Sequence, residues 1–390
     1  MPKNPKIFRQ HWQEYRQKTS TKHGCIPLHH LGLRARFFSV ESKVMNIKAS
    51  WAMCGWPLLG LVWSCAMVVP VWAQVGHMFA NWCTPRPGGL AGWVSSTALP
   101  AARFYHASAV LNDSRILVVA GLDASSVPQA TTYFGTASGT TITWATGTAL
   151  PAVRGGHTAN VLSDGRVLVT GGYDGGARYA NTWFGTISGN TITWANGTSM
   201  PAVRDGHTAS IVSDGRVLVT GGTNGSGAQT STWFGTISGN TITWVSGTVL
   251  PAARYYHSAN TLPDGRVLVA GGDGGGIQST TYFGTVSGTT ITWASGTALL
   301  APRYLHAASI VSDGRVLISG GNDGGATVST NWLGSISGNT IDWSVTADLP
   351  AVRFLPTAGR LSNGRIFLTG GSNGTPQANS YVVLISPSSC

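Results

Sequence analysis

The chain has 390 residues, of which 10 % are charged and 52 are glycine, and its formal net charge is +11. This profile excludes a helical bundle and a disordered tail. Residues 1–50 carry about +8 of the charge and no lysine follows Lys48; because that segment lacks regularly spaced aromatics, we expect no nucleic-acid partner.

The N-terminal part of the chain differs in composition from the rest. We assign residues 1–44 to a basic extension, 45–73 to a signal peptide or membrane anchor, 74–87 to a linker and 88–390 to the folded domain. From Ala49 to Ala80 no residue is charged, and this length suffices to cross a bilayer.

Three interpretations of the apolar segment remain open. "MNIK" (45–48), the apolar run and "VWA" before Gln74 are typical of an export signal, in which case Met45 and not Met1 starts translation. An uncleaved anchor through 49–73 with a basic cytoplasmic tail agrees with the positive-inside rule. "LVWSC" (61–65) has a weak likeness to a lipoprotein box. Each interpretation places the remainder outside the cytoplasm, so we expect a secreted, periplasmic or cell-surface protein.

Beyond the apolar segment, one pattern occurs six times. The copies align on Arg103, Arg154, Arg204, Arg254, Arg303 and Arg353, with spacings of 51, 50, 50, 49 and 50 residues. A period near 50 is typical of a propeller or a solenoid.

One unit, from 204 to 250, predicts four strands, called A to D. They are "HTASIV" (207–212), "RVLVTGG" (216–222), "TSTWFGTIS" (230–238) and "NTITWVS" (240–246). The "SDGR" turn between A and B suits a two-residue type I′ hairpin, because Asp-Gly tolerates positive φ at both central positions. Four antiparallel strands without helical periodicity form one propeller blade. The Gly-rich B–C loops are interpreted as flexible turns.

The strand count favours a closed ring. A tryptophan recurs in every strand D, at Trp93, Trp144, Trp194, Trp244, Trp293 and Trp343. The first of these precedes the first strand A, and the last unit stops after its strand C. We therefore predict an all-β, six-bladed propeller of four-stranded antiparallel blades, closed by an N-terminal outer strand that joins the last blade.

The cysteines agree with closure. Two of the five, Cys83 and Cys390, lie beyond the apolar segment and flank the repeats. A disulfide between them would lock the ring across a very long loop.

The repeat resembles the Kelch repeat over roughly 88–386. The resemblance lies in "R-x-x-H", then "DGRVLV-x-GG", then a tryptophan about 22 residues after the glycine pair. It implies a β-propeller like the central domain of galactose oxidase or the secreted bacterial sialic-acid epimerases. Kelch repeats usually carry Tyr seven positions before the Trp, and this chain has Ala137, Ile187, Ile237, Val286 and Ile336 there.

The Arg and His of "R-x-x-H" are interpreted mainly as scaffold, since the Arg recurs in all six copies and the His in five. Each Arg would pair with carboxylates or carbonyls of the adjacent blade. The resemblance implies an alternative, because Kelch domains often present these arginines at the channel mouth, where six could bind an acidic sugar or peptide. One His per blade around a wide channel does not bring three ligands to one ion, so we expect no metal and no cofactor.

The two residues between Arg and His vary most among the copies. Aromatic rings beside Arg suit sugar rings or peptide side chains, so the asymmetric mouth indicates a binding site; drift with plugging of the channel is the alternative. The candidate binding residues are Arg103, Tyr105, Arg154, Arg204, Asp205, Arg254, Tyr255, Tyr256, Arg303, Tyr304, Arg353 and Phe354.

Catalytic motifs are scarce in the repeats. No Glu follows Glu41 and the Asp residues fall mostly in turns, which disfavours a glycosidase carboxylate pair. The resemblance includes epimerases with an acid/base near Arg, and Asp205 is the only acid between Arg and His. We predict an exported, non-catalytic module that binds a protein or glycan at the face of the D–A and B–C loops. The alternatives are a sugar epimerase or mutarotase, and a structural surface protein.

Overall fold

The computed structural model describes residues 90–385, which contain twenty-four β-strands. The predicted basic extension, signal or anchor and linker lie outside the described residues, as do Cys83 and Cys390 of the predicted disulfide. Within the described range, no helix is long and apolar enough to span a membrane.

The strands form six four-stranded antiparallel sheets, which are the blades of a propeller. Blades 1 to 5 each use four consecutive strands, A to D. Their bounds are β2 (Ala107–Val110), β3 (Ile116–Leu122), β4 (Pro128–Ser138) and β5 (Thr141–Gly147); β6 (Thr158–Val161), β7 (Val167–Thr170), β8 (Thr182–Ser188) and β9 (Thr191–Asn196); β10 (Thr208–Ile211), β11 (Val217–Thr220), β12 (Thr232–Ser238) and β13 (Thr241–Ser246); β14 (Ser258–Thr261), β15 (Val267–Ala270), β16 (Thr281–Ser287) and β17 (Thr290–Ser295); β18 (Ala307–Ile310), β19 (Val316–Ser319), β20 (Asn331–Ser337) and β21 (Thr340–Thr346).

Blade 6 combines strands from both ends of the described chain. It contains β22 (Thr357–Arg360), β23 (Ile366–Thr369), β24 (Ser380–Ile385) and β1 (Leu90–Ser96). β1 pairs antiparallel with β24, with Trp93 opposite Val383, and forms the outer strand of the sheet. This is the pairing that the strand count predicts.

The burial of each strand follows its position in the blade. Strand B, such as Val217–Thr220, is buried along its whole length, as a short continuous apolar run predicts for a strand covered on both faces. In strand D of the same blade only Ile242 is buried, because this edge strand alternates between the neighbouring blade and solvent.

The predicted two-residue A–B turn is wrong. In blade 3 the Gly215 N–H donates to Val212 O at 2.9 Å and the Val212 N–H donates to Arg216 O at 3.0 Å, so the loop has three residues. Gly215 has a φ of +83°, whereas Asp214 is not in the left-handed region. The Asp214 carboxylate accepts the Arg216 N–H at 3.1 Å and forms an ion pair with its guanidinium, which stabilises a type I turn followed by a left-handed glycine.

Neighbouring blades are joined at conserved positions of the repeat. Trp244 in blade 3 donates its indole N–H to Thr198 O of blade 2 at 3.1 Å, and its ring covers Gly235, where a Cβ would lie 2.7 Å away. On the A–B turn face, Arg166 of blade 2 donates to Gly239 O of blade 3 at 2.9 Å. These contacts hold neighbouring blades together, so that the D–A connections of successive blades lie side by side around the central channel.

Candidate functional site

The six arginines that align the repeats, called the ring arginines, are buried, with 0 to 4 % of their surface exposed. Arg254 donates to Gly271 O at 2.7 Å and to Thr280 Oγ1 at 3.1 Å, both in its own blade. Each guanidinium lies over an aromatic ring of strand C in the same blade. These rings are Tyr133, Trp183, Trp233, Tyr282, Trp332 and Tyr381.

The ring arginines therefore differ from the expectation that each pairs with the adjacent blade. Stacking on strand C directs the Arg254 donors toward the end of strand B of the same sheet. Burial also lowers the pKa of Arg254 and Arg303 to about 10, which leaves both cations at neutral pH. The six guanidinium groups stabilise blades from within and offer little surface to a ligand.

Arg154 is bound differently from the others. Blade 2 carries Asn181 where blade 3 carries Ser231, whose hydroxyl accepts a bond from its ring arginine at 2.6 Å. The Nε and Nη1 atoms of Arg154 are buried without an acceptor. The guanidinium is instead sandwiched 4.0 Å from the Tyr179 ring centroid and 4.7 Å from that of Trp183.

The five histidines of the repeats lie beside the central channel, and blade 6 has Pro356 at this position. They are His106, His157, His207, His257 and His306. His207 Nε2 lies 2.9 Å from Thr170 Oγ1 of the preceding blade, so this imidazole joins two blades. Within residues 90–385 no cluster of three or more His, Cys, Asp or Glu is placed to hold a metal ion.

The residue immediately before each histidine, and before Pro356 in blade 6, is here called the mouth position; the six residues form a belt around the axis. At five junctions its N–H donates to the carbonyl of the mouth position in the preceding blade, at 2.7 to 3.0 Å. The six residues are Tyr105, Gly156, Gly206, Tyr256, Leu305 and Leu355. All six have φ between 51° and 64°, so the belt requires left-handed backbone in every blade.

Only two blades use glycine, the residue that adopts this conformation without strain. For an L-residue the left-handed region costs about 1–2 kcal/mol. Tyr105, Tyr256, Leu305 and Leu355 accept this cost. Because Gly156 and Gly206 form the same belt, the bulk of the other four side chains is not required by the backbone.

The two mouth tyrosines cover the two mouth glycines. A Cβ on Gly156 would lie 2.6 Å from Tyr105 Cζ, and one on Gly206 would lie 2.5 Å from Tyr256 Cε1. The aromatic and glycine halves of the repeat are thus complementary in space. Below them a cavity of about 120 Å³ extends along the channel between the histidines.

Four polar side chains from four blades meet at the mouth and are called the mouth cluster: Tyr105, Arg178, Asp205 and Tyr256. Tyr105 donates its hydroxyl to Asp205 Oδ2 at 2.6 Å, and the two tyrosine hydroxyls are 2.5 Å apart. Arg178 forms an ion pair with Asp205 Oδ1. Asp205 is 1 % exposed. Burial raises the pKa of Tyr256 to about 12 and raises that of Tyr105 well above its usual range, so both remain neutral donors.

Sequence comparison missed Arg178. It lies in the B–C loop of blade 2, and its side chain crosses to blade 3. The available signal was its charge, because the B–C loops of the other five copies contain no Lys or Arg.

The other aromatic candidates flank the cluster. The Tyr255 ring lies 4.6 Å from that of Tyr256, and its hydroxyl donates to Asp273 Oδ2 at 3.0 Å. Tyr304 and Phe354 occupy the same position as Tyr255 in blades 5 and 6, where each forms a backbone bridge to its B–C loop. The structure therefore gathers Tyr105, Asp205, Tyr255 and Tyr256, and places the ring arginines beneath the surface.

The opposite face also carries a cavity, of about 500 Å³. It lies between the A–B turns of blades 4 and 5 and is lined by Asp264, Arg266, Asp313 and Arg315 among others. Arg266 and Arg315 are paired with the aspartates of their own turns. These pairs recur in the turns of blades 1 to 5 and have a structural role there.

Comparisons with known proteins show the fold and leave the family open. No protein-family model matches the chain, and no curated protein matches it in sequence. Among solved structures, one described as "Structure of YjhT" is similar with a TM-score of 0.62 and 16 % sequence identity, over 74 % of this chain and 96 % of that chain. At this identity the likeness is one of fold, that of a six-bladed β-propeller.

Proposed function

We propose that the propeller is a non-catalytic binding module whose ligand, a protein or a glycan, contacts the mouth on the D–A and B–C loop face. The observation that carries this proposal is the mouth cluster, in which Tyr105 and Tyr256 adopt left-handed backbone, with φ of 60° and 53°, around the buried carboxylate of Asp205. Backbone strain of this kind is concentrated at functional sites. Glycine at the same position in blades 2 and 3 forms the belt without that cost.

Both carboxylate oxygens of Asp205, the residue on which the alternative enzyme hypothesis depends, already have partners. A sugar epimerase or mutarotase would use Asp205 as its acid/base. Asp205 is 1 % exposed, and its two oxygens are engaged by Arg178 and Tyr105. A general base needs access to the proton it removes, so this arrangement favours binding over proton transfer. A structural surface protein is the third possibility, and it predicts no ligand.

Three further elements of the proposal are supported by the sequence. We infer that the repeats are Kelch repeats, on "R-x-x-H" and "DGRVLV-x-GG" together with the propeller fold. We infer export through the apolar segment of 45–73, as a signal or an anchor. We also infer a disulfide between Cys83 and Cys390, which flank the strands of blade 6 in sequence.

The test compares two glycine substitutions at the mouth position. Tyr256→Gly removes the ring and relieves the backbone strain, and Leu355→Gly relieves the same strain in blade 6 without removing an aromatic ring. Arg254→Ala is unsuitable, because that side chain is buried and its loss would test folding. Both glycine variants are expected to remain folded by circular dichroism, since blades 2 and 3 carry glycine there.

Binding is measured on a glycan array and a displayed peptide library with the full chain. We expect saturable binding that Tyr256→Gly abolishes and Leu355→Gly retains. Turnover of the bound sugar, followed by NMR as anomer exchange, would establish the enzyme instead. Absence of binding in the folded wild-type protein would leave the structural alternative.

A further inference from the structure

We propose that the mouth binds an uncharged pyranose residue of a glycan, stacked on the arc formed by Tyr105, Tyr256 and Tyr255. This inference rests on the proposed binding function and specifies its ligand. It departs from the expectation of an acidic ligand, because the arginines on which that expectation depended are buried.

The three rings of the arc contact one another in edge-on and tilted arrangements. The Tyr105 and Tyr256 ring centroids are 5.6 Å apart with an interplanar angle of 64°, and those of Tyr256 and Tyr255 are 4.6 Å apart at 58°. All three residues are partly exposed. Small-molecule sites are lined mainly by aromatic and apolar groups with a few placed polar atoms. The C–H face of a pyranose is apolar and fits such a surface.

The cations of the mouth are already engaged. The ring arginines are at most 4 % exposed, and the Arg178 side chain, 33 % exposed, is bound to Asp205. An anionic sugar that took Arg178 would leave the buried Asp205 carboxylate without its cation, and an unpaired buried charge is strongly unfavourable. The charge of Arg154 is further balanced by the nearby Asp174 carboxylate.

The polar groups that remain suit sugar hydroxyls. Burial raises the pKa of Tyr105 and Tyr256, so both phenols are uncharged. Tyr105 directs its proton to Asp205 and Tyr256 directs its proton to Tyr105, which leaves lone pairs of the phenol oxygens as acceptors. Beside them, Asp273 accepts the Tyr255 hydroxyl and two loop N–H groups. A sugar hydroxyl can donate to such a carboxylate or to a phenol oxygen.

The experiment uses the full chain on an array of neutral and acidic glycans, followed by calorimetry with the best soluble oligosaccharide. We expect neutral hexose-terminated glycans to bind, with an affinity that changes less than about twofold between about 50 and 500 mM NaCl, since no ion pair forms. Tyr255→Ala should weaken binding about tenfold, as expected for loss of an aromatic contact, and Tyr255→Phe, which keeps the ring, should weaken it less.

Val345→Ala is the control, because it removes an exposed apolar side chain from the outer strand β21 of blade 5, away from the mouth. It should bind like the wild type, and thermal unfolding of each variant verifies its fold. A preference for acidic glycans with steep salt dependence overturns this inference while the proposed binding function stands. The same holds if only peptides bind. If the folded wild-type protein binds neither the glycan array nor the displayed peptide library, the proposed function itself is overturned.

Discussion

The buried histidines make the propeller sensitive to acid. Burial, together with the ring arginine of the same blade, lowers the pKa of His106, His157, His207 and His306 to about 3. The pKa of His257 is lowered in the same direction for the same reasons. The folded protein therefore holds five neutral imidazoles at a pH at which free imidazoles would be charged.

The sign of the effect follows from proton binding. In the unfolded chain a histidine titrates near pH 6.5, so between pH 6.5 and 3 the unfolded state binds more protons than the folded state. The neutral histidines make their full contribution to stability above pH 6.5, and this contribution is lost as the pH falls toward 3. In this window each histidine lowers the free energy of unfolding by about 1.4 kcal/mol for every unit of pH below 6.5, or by about 2 kcal/mol at pH 5. The four histidines with a pKa of about 3 together lower the free energy of unfolding by about 8 kcal/mol at pH 5, which is comparable with the total stability of many domains, and His257 acts in the same direction.

The assay is urea unfolding followed by tryptophan fluorescence between about pH 7.5 and 5.5, where the slope of unfolding free energy against pH counts the protons taken up. We expect the slope to approach five protons at the acid end, and His207→Gln to reduce it by one. Asp214→Asn is the control, because its bond to Arg216 keeps the pKa of that carboxyl below its usual range. A wild-type slope below one proton would refute the reasoning.

Three other predictions concern stability. Gly221→Ala and Gly239→Ala both place alanine at a φ of +58°, but only the Gly221 Cβ would meet a carbonyl oxygen, at 2.5 Å. Urea unfolding should show a loss of stability of about 1–2 kcal/mol for Gly239→Ala and a clearly larger loss for Gly221→Ala. Equal losses would contradict the contact at Gly221. Trp244→Phe removes one indole hydrogen bond between blades and should cost about 1 kcal/mol, visible as a lower urea midpoint. Cys83→Ser should lower stability by up to about 5 kcal/mol in the chain-entropy account, and non-reducing peptide mapping that finds Cys83 and Cys390 both free would remove the premise.

Much of the fold is predictable from the sequence because the information is local. The continuous apolar run of strand B, the alternation of strand D and the turn residues repeat six times, and the position of Trp93 before the first strand A predicts its pairing with β24. The length of the A–B loop is not predictable from the turn residues, because a glycine after Asp fits both a two-residue type I′ turn and a three-residue loop that ends in a left-handed residue. In the structure the loop has three residues, and Asp214 accepts the Arg216 N–H.

The candidate site was less accessible to sequence analysis because its contacts cross blades. Comparison of the copies selects Tyr105, Asp205 and Tyr256 as variable positions, and the structure brings them together. The comparison of the copies does not show that the Arg254 side chain is buried, since its position depends on Tyr282, which lies beneath it in strand C. Nor does it reveal Arg178, whose loop must fold over blade 3 before the charge reaches Asp205.

Strain alone does not distinguish a binding surface from a plug, because Leu305 and Leu355 are as left-handed as the two mouth tyrosines. What separates the two halves of the mouth is charge. Asp205 is almost completely buried and held by Arg178, and taking an ion pair out of water is itself unfavourable. An apolar plug needs only the leucines, which fill space without desolvating a carboxylate. Backbone strain and a buried, ion-paired carboxylate therefore coincide only in the mouth cluster, which favours a binding surface over an apolar plug.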